Sequence, residues 1–241
     1  SSGQIRNLGK AALSGLTTEP IDGLGTEQVV ALTADQLKAL SSSQVVALSS
    51  AQAAVLTSGQ VAGLSPTQVA AMEDADVAAL STSALKAMNA AQVKALTTAQ
   101  LVALTTDQAA GLGKDFVAAL TSAQLTAMGE DDVGKLSTSA VQALSNAALA
   151  GLTTAKVEGL GTAQVAALTD VQIKQLSTAN IQALSSEQAK ALTQVQLGAL
   201  TSAQAAAMDV DVLSTFSSGQ IRNLGKAALS GLTTEPIDGL G

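Results

Sequence analysis

A large apolar residue recurs at every eighth position from Leu8 to Leu240, without a single insertion or deletion. Of these 30 positions, 25 are Leu, four are the chain's Met residues (Met72, Met88, Met128, Met208) and one is Phe216. This period excludes one continuous helix. Eight residues at about 100° each leave roughly 80° of drift per repeat, so the leucines would wind around the surface. The period instead selects a chain in which one short element restarts in every octad.

With the Leu site as position zero, other columns are nearly as strict. Position five is Val, Ile or Leu in 26 of 30 octads and Ala in the rest (Ala53, Ala109, Ala189, Ala205). Position seven is Ala or Gly in 24 of 30, and position four is Gln in 17 of 30. Leu32 to Leu40 (LTADQLKAL) and Leu96 to Leu104 (LTTAQLVAL) are clean copies. Position one has 31 members, of which 21 are Ser or Thr and seven are Gly. These residue types favour a helix N-cap, where a side-chain oxygen accepts from the orphan amides of the first turn. A Gln three residues later completes a capping box, as in Thr97-Thr98-Ala99-Gln100.

Charge and proline agree. Positions one to four carry 16 of the 19 acidic residues, and positions six and seven carry eight of the 12 basic ones. That polarity matches the dipole of a helix running from position one to position seven. Pro66 falls at the first helical position, and Pro20 and Pro236 fall in the first turn, where no intrahelical bond is lost. The pattern predicts an all-α solenoid, a superhelix of very short helices, one per octad, each about six or seven residues or two turns long. A β-solenoid is the competing reading, since Thr and Val at regular spacing suit strands. The Gln and Ala content and the direction of the charges weigh against it.

One octad buries too little to overcome its own ordering entropy, so octads must stack. Positions zero and five are the expected core, and small residues at position seven let adjacent helices approach. The domain expectation is one continuous octapeptide-repeat solenoid over 1–241. The number of octads per superhelical turn does not follow from the pattern. Residues 1–25 (SSGQIRNLGKAALSGLTTEPIDGLG) are identical to residues 217–241, an offset of 216 residues or 216/8 = 27 octads. We read 1–216 as one long unit and 217–241 as the start of the next in an array. The opening Ser1-Ser2-Gly3, without Met, reads as a fragment.

The tandem L-[ST]-x-x-Q-[VIL]-x-A pattern resembles the short helical repeats of very large, repetitive bacterial surface and secreted proteins. That resemblance implies length, adhesion or scaffolding outside the cell. Leu24 to Leu32 (LGTEQVVAL) also resembles the opening of a TAL-effector repeat. Those repeats are several times longer and carry a base-reading loop in a basic chain. Here 12 basic residues stand against 19 acidic ones, a net charge of −7, so DNA reading is not expected.

Composition removes most chemistry. The chain has no Cys, His, Trp or Tyr, and its aromatics are Phe116 and Phe216 alone. A thiolate, an imidazole base, a zinc finger, a disulfide framework and an aromatic stacking platform are therefore excluded. No apolar run approaches the ~18 residues of a membrane span. Serine is abundant without a base to activate it. The LGK triplets at 8–10, 112–114 and 224–226 lack the spacing of a phosphate loop. Lys135 and Lys156 depart from their columns and read as exposed structural lysines. Phe116 replaces a Gln and reads as a local packing variation.

Three carboxylate clusters, Glu73-Asp74-Ala75-Asp76, Glu130-Asp131-Asp132 and Asp209-Val210-Asp211, could offer oxygens to Ca²⁺. They lack EF-hand spacing, and acids at a helix start are explained by the dipole. A Ser/Thr column could also suit ice binding, but its free mixture with Gly is explained by capping. The reading is therefore a non-enzymatic structural protein with no catalytic, metal or cofactor residues. It would form an extracellular filament, stalk or surface matrix whose partner is itself, with no nucleic acid and no small-molecule substrate. The alternative is a superhelical binding scaffold or adhesin segment.

Overall fold

The computed structural model describes residues 21–232, together with positions 5, 7, 9 and 15. Pro20, Pro236, most of the first copy of the duplicated segment and residues 233–241 of the second lie outside the described residues. Within them the chain forms 26 α-helices of four to six residues, from Thr26–Ala31 to Lys226–Gly231, with no strand. One helix occupies each octad, as the period predicts.

The helices reach six residues but not seven for a local reason. Both the Leu at position zero and the cap at position one are extended, as at Leu32 (φ −62°, ψ 138°) and Thr33 (φ −77°, ψ 156°). Two residues per octad thus reverse the chain, and at most six remain helical. The Leu amide still bonds three residues back, for instance Leu40 N to Leu37 O at 3.1 Å, so each helix closes on a tight final turn. Among the described residues no backbone adopts a positive φ. The link therefore needs no glycine, and Ser or Thr can occupy the cap. Pro66 opens helix Pro66–Ala71 where its missing amide costs nothing.

The chain divides into two compact units at Leu120/Thr121. In the first, each helix packs on its third neighbour, as Ser50–Ala54 does on Asp74–Ala79 and Pro66–Ala71 on Ala90–Ala95. Thr82–Lys86 touches both its third neighbour, Thr106–Gly111, and its fourth, Lys114–Ala119. In the second unit Thr138–Ala143 packs on Thr162–Ala167, and Asp170–Gln175 on Gln194–Ala199. In each unit one superhelical turn therefore takes between three and four octads, the quantity that the sequence left open. Positions zero and five form the core in both, with Val29, Leu37, Val61, Val165 and Ile173 fully buried and Leu56 and Leu168 nearly so.

Position seven is small because helices approach closely there, as expected. It faces the previous turn rather than the adjacent helix in sequence. A Cβ on Gly63 would lie 2.7 Å from the Ala34 Cβ, and Gly111 sits in the same way against Thr82. In the second unit Gly151 lies against the Ser122 carbonyl and Gly231 against that of Ser202. Gly151→Ala should force those turns apart, because a carbonyl oxygen cannot swing aside as a side chain can. We expect a loss of ~1–3 kcal/mol, read as a lower urea midpoint at unchanged slope. Gly59→Ala is the control. Its Cβ would meet nothing within 4 Å, so it should stabilise by ~0.5–1 kcal/mol through helix propensity.

Candidate functional site

The chemistry of this chain is concentrated in the position-four amide. Gln92 and Gln100 are 0% and 1% exposed, and most other Gln residues of the column are buried as well. Each end of the amide has a separate task. The Gln36 Oε1 accepts from its own N-cap amide, Thr33 N, at 2.9 Å, while Thr33 Oγ1 accepts from Gln36 N at 3.2 Å. At Gly25 and Gly161, which have no side chain to contribute, the Gln half of the box persists alone at 2.8 and 2.7 Å.

The Nε2 end reaches the previous turn. Gln60 donates to Val29 O and Leu32 O, both at 2.8 Å, and Gln100 donates to Val69 O at 2.9 Å and Met72 O at 2.7 Å. The second unit repeats the arrangement. Gln188 donates to Val157 O and Leu160 O, both at 2.7 Å, and Gln204 to Ile173 O at 2.7 Å and Leu176 O at 2.8 Å. The acceptors lie 31 and 28 residues earlier at the end of a helix: the position-five carbonyl, which also accepts from the closing amide of its own helix, as Ile173 O does from Leu176 N at 3.2 Å, and the position-zero carbonyl just past the helix end. One buried side chain thus caps the start of its own helix and the end of another one turn away. Only an amide has an acceptor and two donors at this length. The sequence reading assigned Gln to the capping box alone. A signal for its second task was present, since a box accepts Glu as readily as Gln, yet the column holds 17 Gln and no Glu.

The departures from Gln follow the same logic. Asn180 accepts from Ser177 N at 3.1 Å and donates to Leu152 O at 2.9 Å, so an amide one methylene shorter still spans the gap. Lys156 corrects an expectation. It is 5% exposed, not exposed, and its Nζ donates to Thr126 O at 2.9 Å. Its long stem lies within the wall and its head supplies the donor half of the missing amide. Lys156→Met should therefore cost ~1–3 kcal/mol by leaving that carbonyl unsatisfied, whereas Lys156→Gln should retain stability, as thermal melts of the two variants would show. Lys135 is exposed, as expected. Phe116, 1% exposed, fills its position with an apolar ring.

The carboxylate clusters are split by the helix geometry. Glu73 and Asp74 are exposed while Asp76 is 2% exposed, and Glu130 and Asp131 are exposed while Asp132 is buried. Asp209 and Asp211 are both exposed, and Asp209 Oδ1 caps its helix by accepting from Asp211 N at 3.0 Å. Among the described residues no three acidic side chains converge as a metal site would require. Asp76 is unlike the others. Its Oδ1 accepts from Ser50 Oγ at 2.8 Å, but its buried Oδ2 has no partner. Burial raises its carboxyl above the usual 3.8, the Ser50 hydrogen bond opposes the rise, and Glu73 adds to it.

A surface cleft in the first unit is lined by Asp35, Lys38, Gly63, Pro66, Asn89 and Ala91 among others. Its Asn89 amide oxygen is engaged in capping, accepting from Ala91 N and Gln92 N at 3.0 and 3.1 Å. The serines are occupied similarly, as Ser65 Oγ is by Gln68 N at 3.1 Å. Among the described residues no helix is long and apolar enough to cross a membrane.

The ALTTAQ repeat pattern matches residues 30–66, 69–106, 94–122 and 134–170, a little over half of the chain. The chain belongs to the ALTTAQ repeat family. The Ala-Leu-Thr-Thr-Ala-Gln string itself stands at residues 95–100, where it spans the end of one octad and the cap and ladder amide of the next. No curated protein matches the chain. Among solved structures it is similar to the leucine-rich repeat-containing protein LegL7 from Legionella pneumophila, at 12% identity over 88% of this chain and 78% of that one. The TM-score is 0.22. ALTTAQ octads therefore build a repeat scaffold of short stacked helices.

Proposed function

We propose that this ALTTAQ repeat chain is a structural protein without catalysis, forming an extracellular filament, stalk or surface-matrix element. The observation that carries the reading is the amide ladder. Ladder amides such as Gln100 and Gln204 meet the same pair of carbonyls of the previous turn, so the joint repeats along each unit and supports stacking of further octads. The rest of the surface supports a passive role. Among the described residues the exposed large apolar side chains are the aliphatics Val30, Val46, Val102, Val171, Val195 and Leu229, without the aromatic anchors that dominate binding interfaces. The recurrence of residues 1–25 at 217–241 is a whole number of octads, so a tandem copy continues in register.

Electron microscopy of purified tandem copies tests this. Unbranched fibres of constant width are the expected result. Discrete monomers would overturn the reading in favour of a scaffold that presents its surface to a partner.

A further inference from the structure

Asp76 occupies the position of a ladder amide but has no proton to donate when ionised. Had it been Gln, its Nε2 would reach Leu48 O, 28 residues earlier, as Gln100 reaches Met72 O at 2.7 Å. Leu48 is 3% exposed. Asn180, of the same length and shape as Asp, reaches the equivalent Leu152 O at 2.9 Å. A carboxylic acid at residue 76 has that reach as well. Its Oδ1 already accepts from Ser50 Oγ at 2.8 Å, and its Oδ2 is buried without a partner. A carboxylate there would hold a negative oxygen buried with no donor to satisfy it. Ala84, at the same position one octad later, brings no polar atom to its gap at all.

We propose that Asp76 is a proton-operated joint between two turns of the first unit: as the neutral acid its Oδ2–H donates to Leu48 O, and as the carboxylate it loosens helix Asp74–Ala79 from helix Ser50–Ala54. The charged groups around it are few. Glu73 and Asp74 stand on its own helix start, and Glu73 disfavours ionisation. The packed helices Ser50–Ala54 and Thr98–Val102 carry no titratable side chain, and the following helix contributes only the exposed Lys86. The direction of the effect follows from proton linkage. The folded acid holds its proton more tightly than the unfolded one. Its stabilisation is therefore complete below about pH 4 and is lost as the pH rises through its raised folded value.

The test compares thermal melts of the full chain and Asp76→Asn between pH 4 and pH 8, with the carboxyl ¹³C shift of Asp76 followed in the unsubstituted chain. Asn supplies a permanent donor of the same shape. The variant should match the parent at pH 4 and melt higher by roughly 4 °C or more at pH 7, and the Asp76 carboxyl should titrate above 3.8. Parallel pH profiles, or a carboxyl midpoint at or below that value, would overturn the proposal. So would a rise in melting temperature with calcium chloride at pH 7 that Asp76→Asn abolishes, since a cation rather than a proton would then satisfy the site.

Discussion

Gln100→Leu should lower the stability of the first unit by roughly 3–5 kcal/mol, although Leu has nearly the volume of Gln and is the commonest core residue of the chain. The substitution leaves two buried groups without partners, the Thr97 amide, which now donates to Gln100 Oε1 at 2.9 Å, and the Met72 carbonyl, and it removes one of the two donors to the Val69 carbonyl, which keeps Met72 N at 3.2 Å. A stranded buried polar group costs about 1–3 kcal/mol, and the apolar gain of one side chain does not offset two of them together with the lost bond to Val69. Gln100→Asn should recover most of the loss, because Asn180 shows that the shorter amide spans the same gap. Hydrogen exchange at Thr97 gives the residue-level reading. Its amide should lose protection in Gln100→Leu and retain it in Gln100→Asn. Equal denaturation midpoints for all three chains would mean that the ladder contributes no stability.

Phe116→Ala should cost a similar amount, ~3–5 kcal/mol, through a cavity rather than through polar groups. Helix Lys114–Ala119 begins at Gly113 with no side-chain cap, and Phe116 provides no amide, so both polar supports of an ordinary octad are missing there. Burial of the ring, 1% exposed, stands in their place. The effect should appear as a lower denaturation midpoint and as faster exchange of the Val117 amide, which bonds Gly113 O at 3.1 Å. Phe116→Gln should fall between the two, restoring the amide while removing the ring. A Phe116→Ala midpoint within the scatter of the parent chain would show that the octad relaxes around the cavity.

Much of this architecture is legible in the sequence because one octad solves one local problem, and the residues that solve it lie within four positions of each other. Ser or Thr followed by Gln marks the start of a helix, the dipole sorts the charges, and Leu and Val at positions zero and five mark the core. The packing of turn on turn involves residues about 30 apart, and no local rule reaches that far. The number of octads per turn, the second task of Gln and the destination of the Lys156 head all depend on it. Lys156 looked exposed because lysine usually is, and only the carbonyl waiting one turn away explains its burial. Asp76 and Asp132 were grouped with their acidic neighbours for a comparable reason. Adjacency in sequence suggested clusters, while the octad places position four inside and positions one to three at the surface.

The ladder also determines how such a chain can change size. An amide finds its acceptors 28 and 31 residues behind it, and every octad offers equivalent ones. Losing or gaining a whole octad therefore re-pairs the downstream amides with carbonyls of the same kind, and no bond is orphaned. A slip of any other length strands a full turn of them. A coding change of twenty-four nucleotides, one octad, keeps the ladder in register, whereas one that is not a whole number of octads does not.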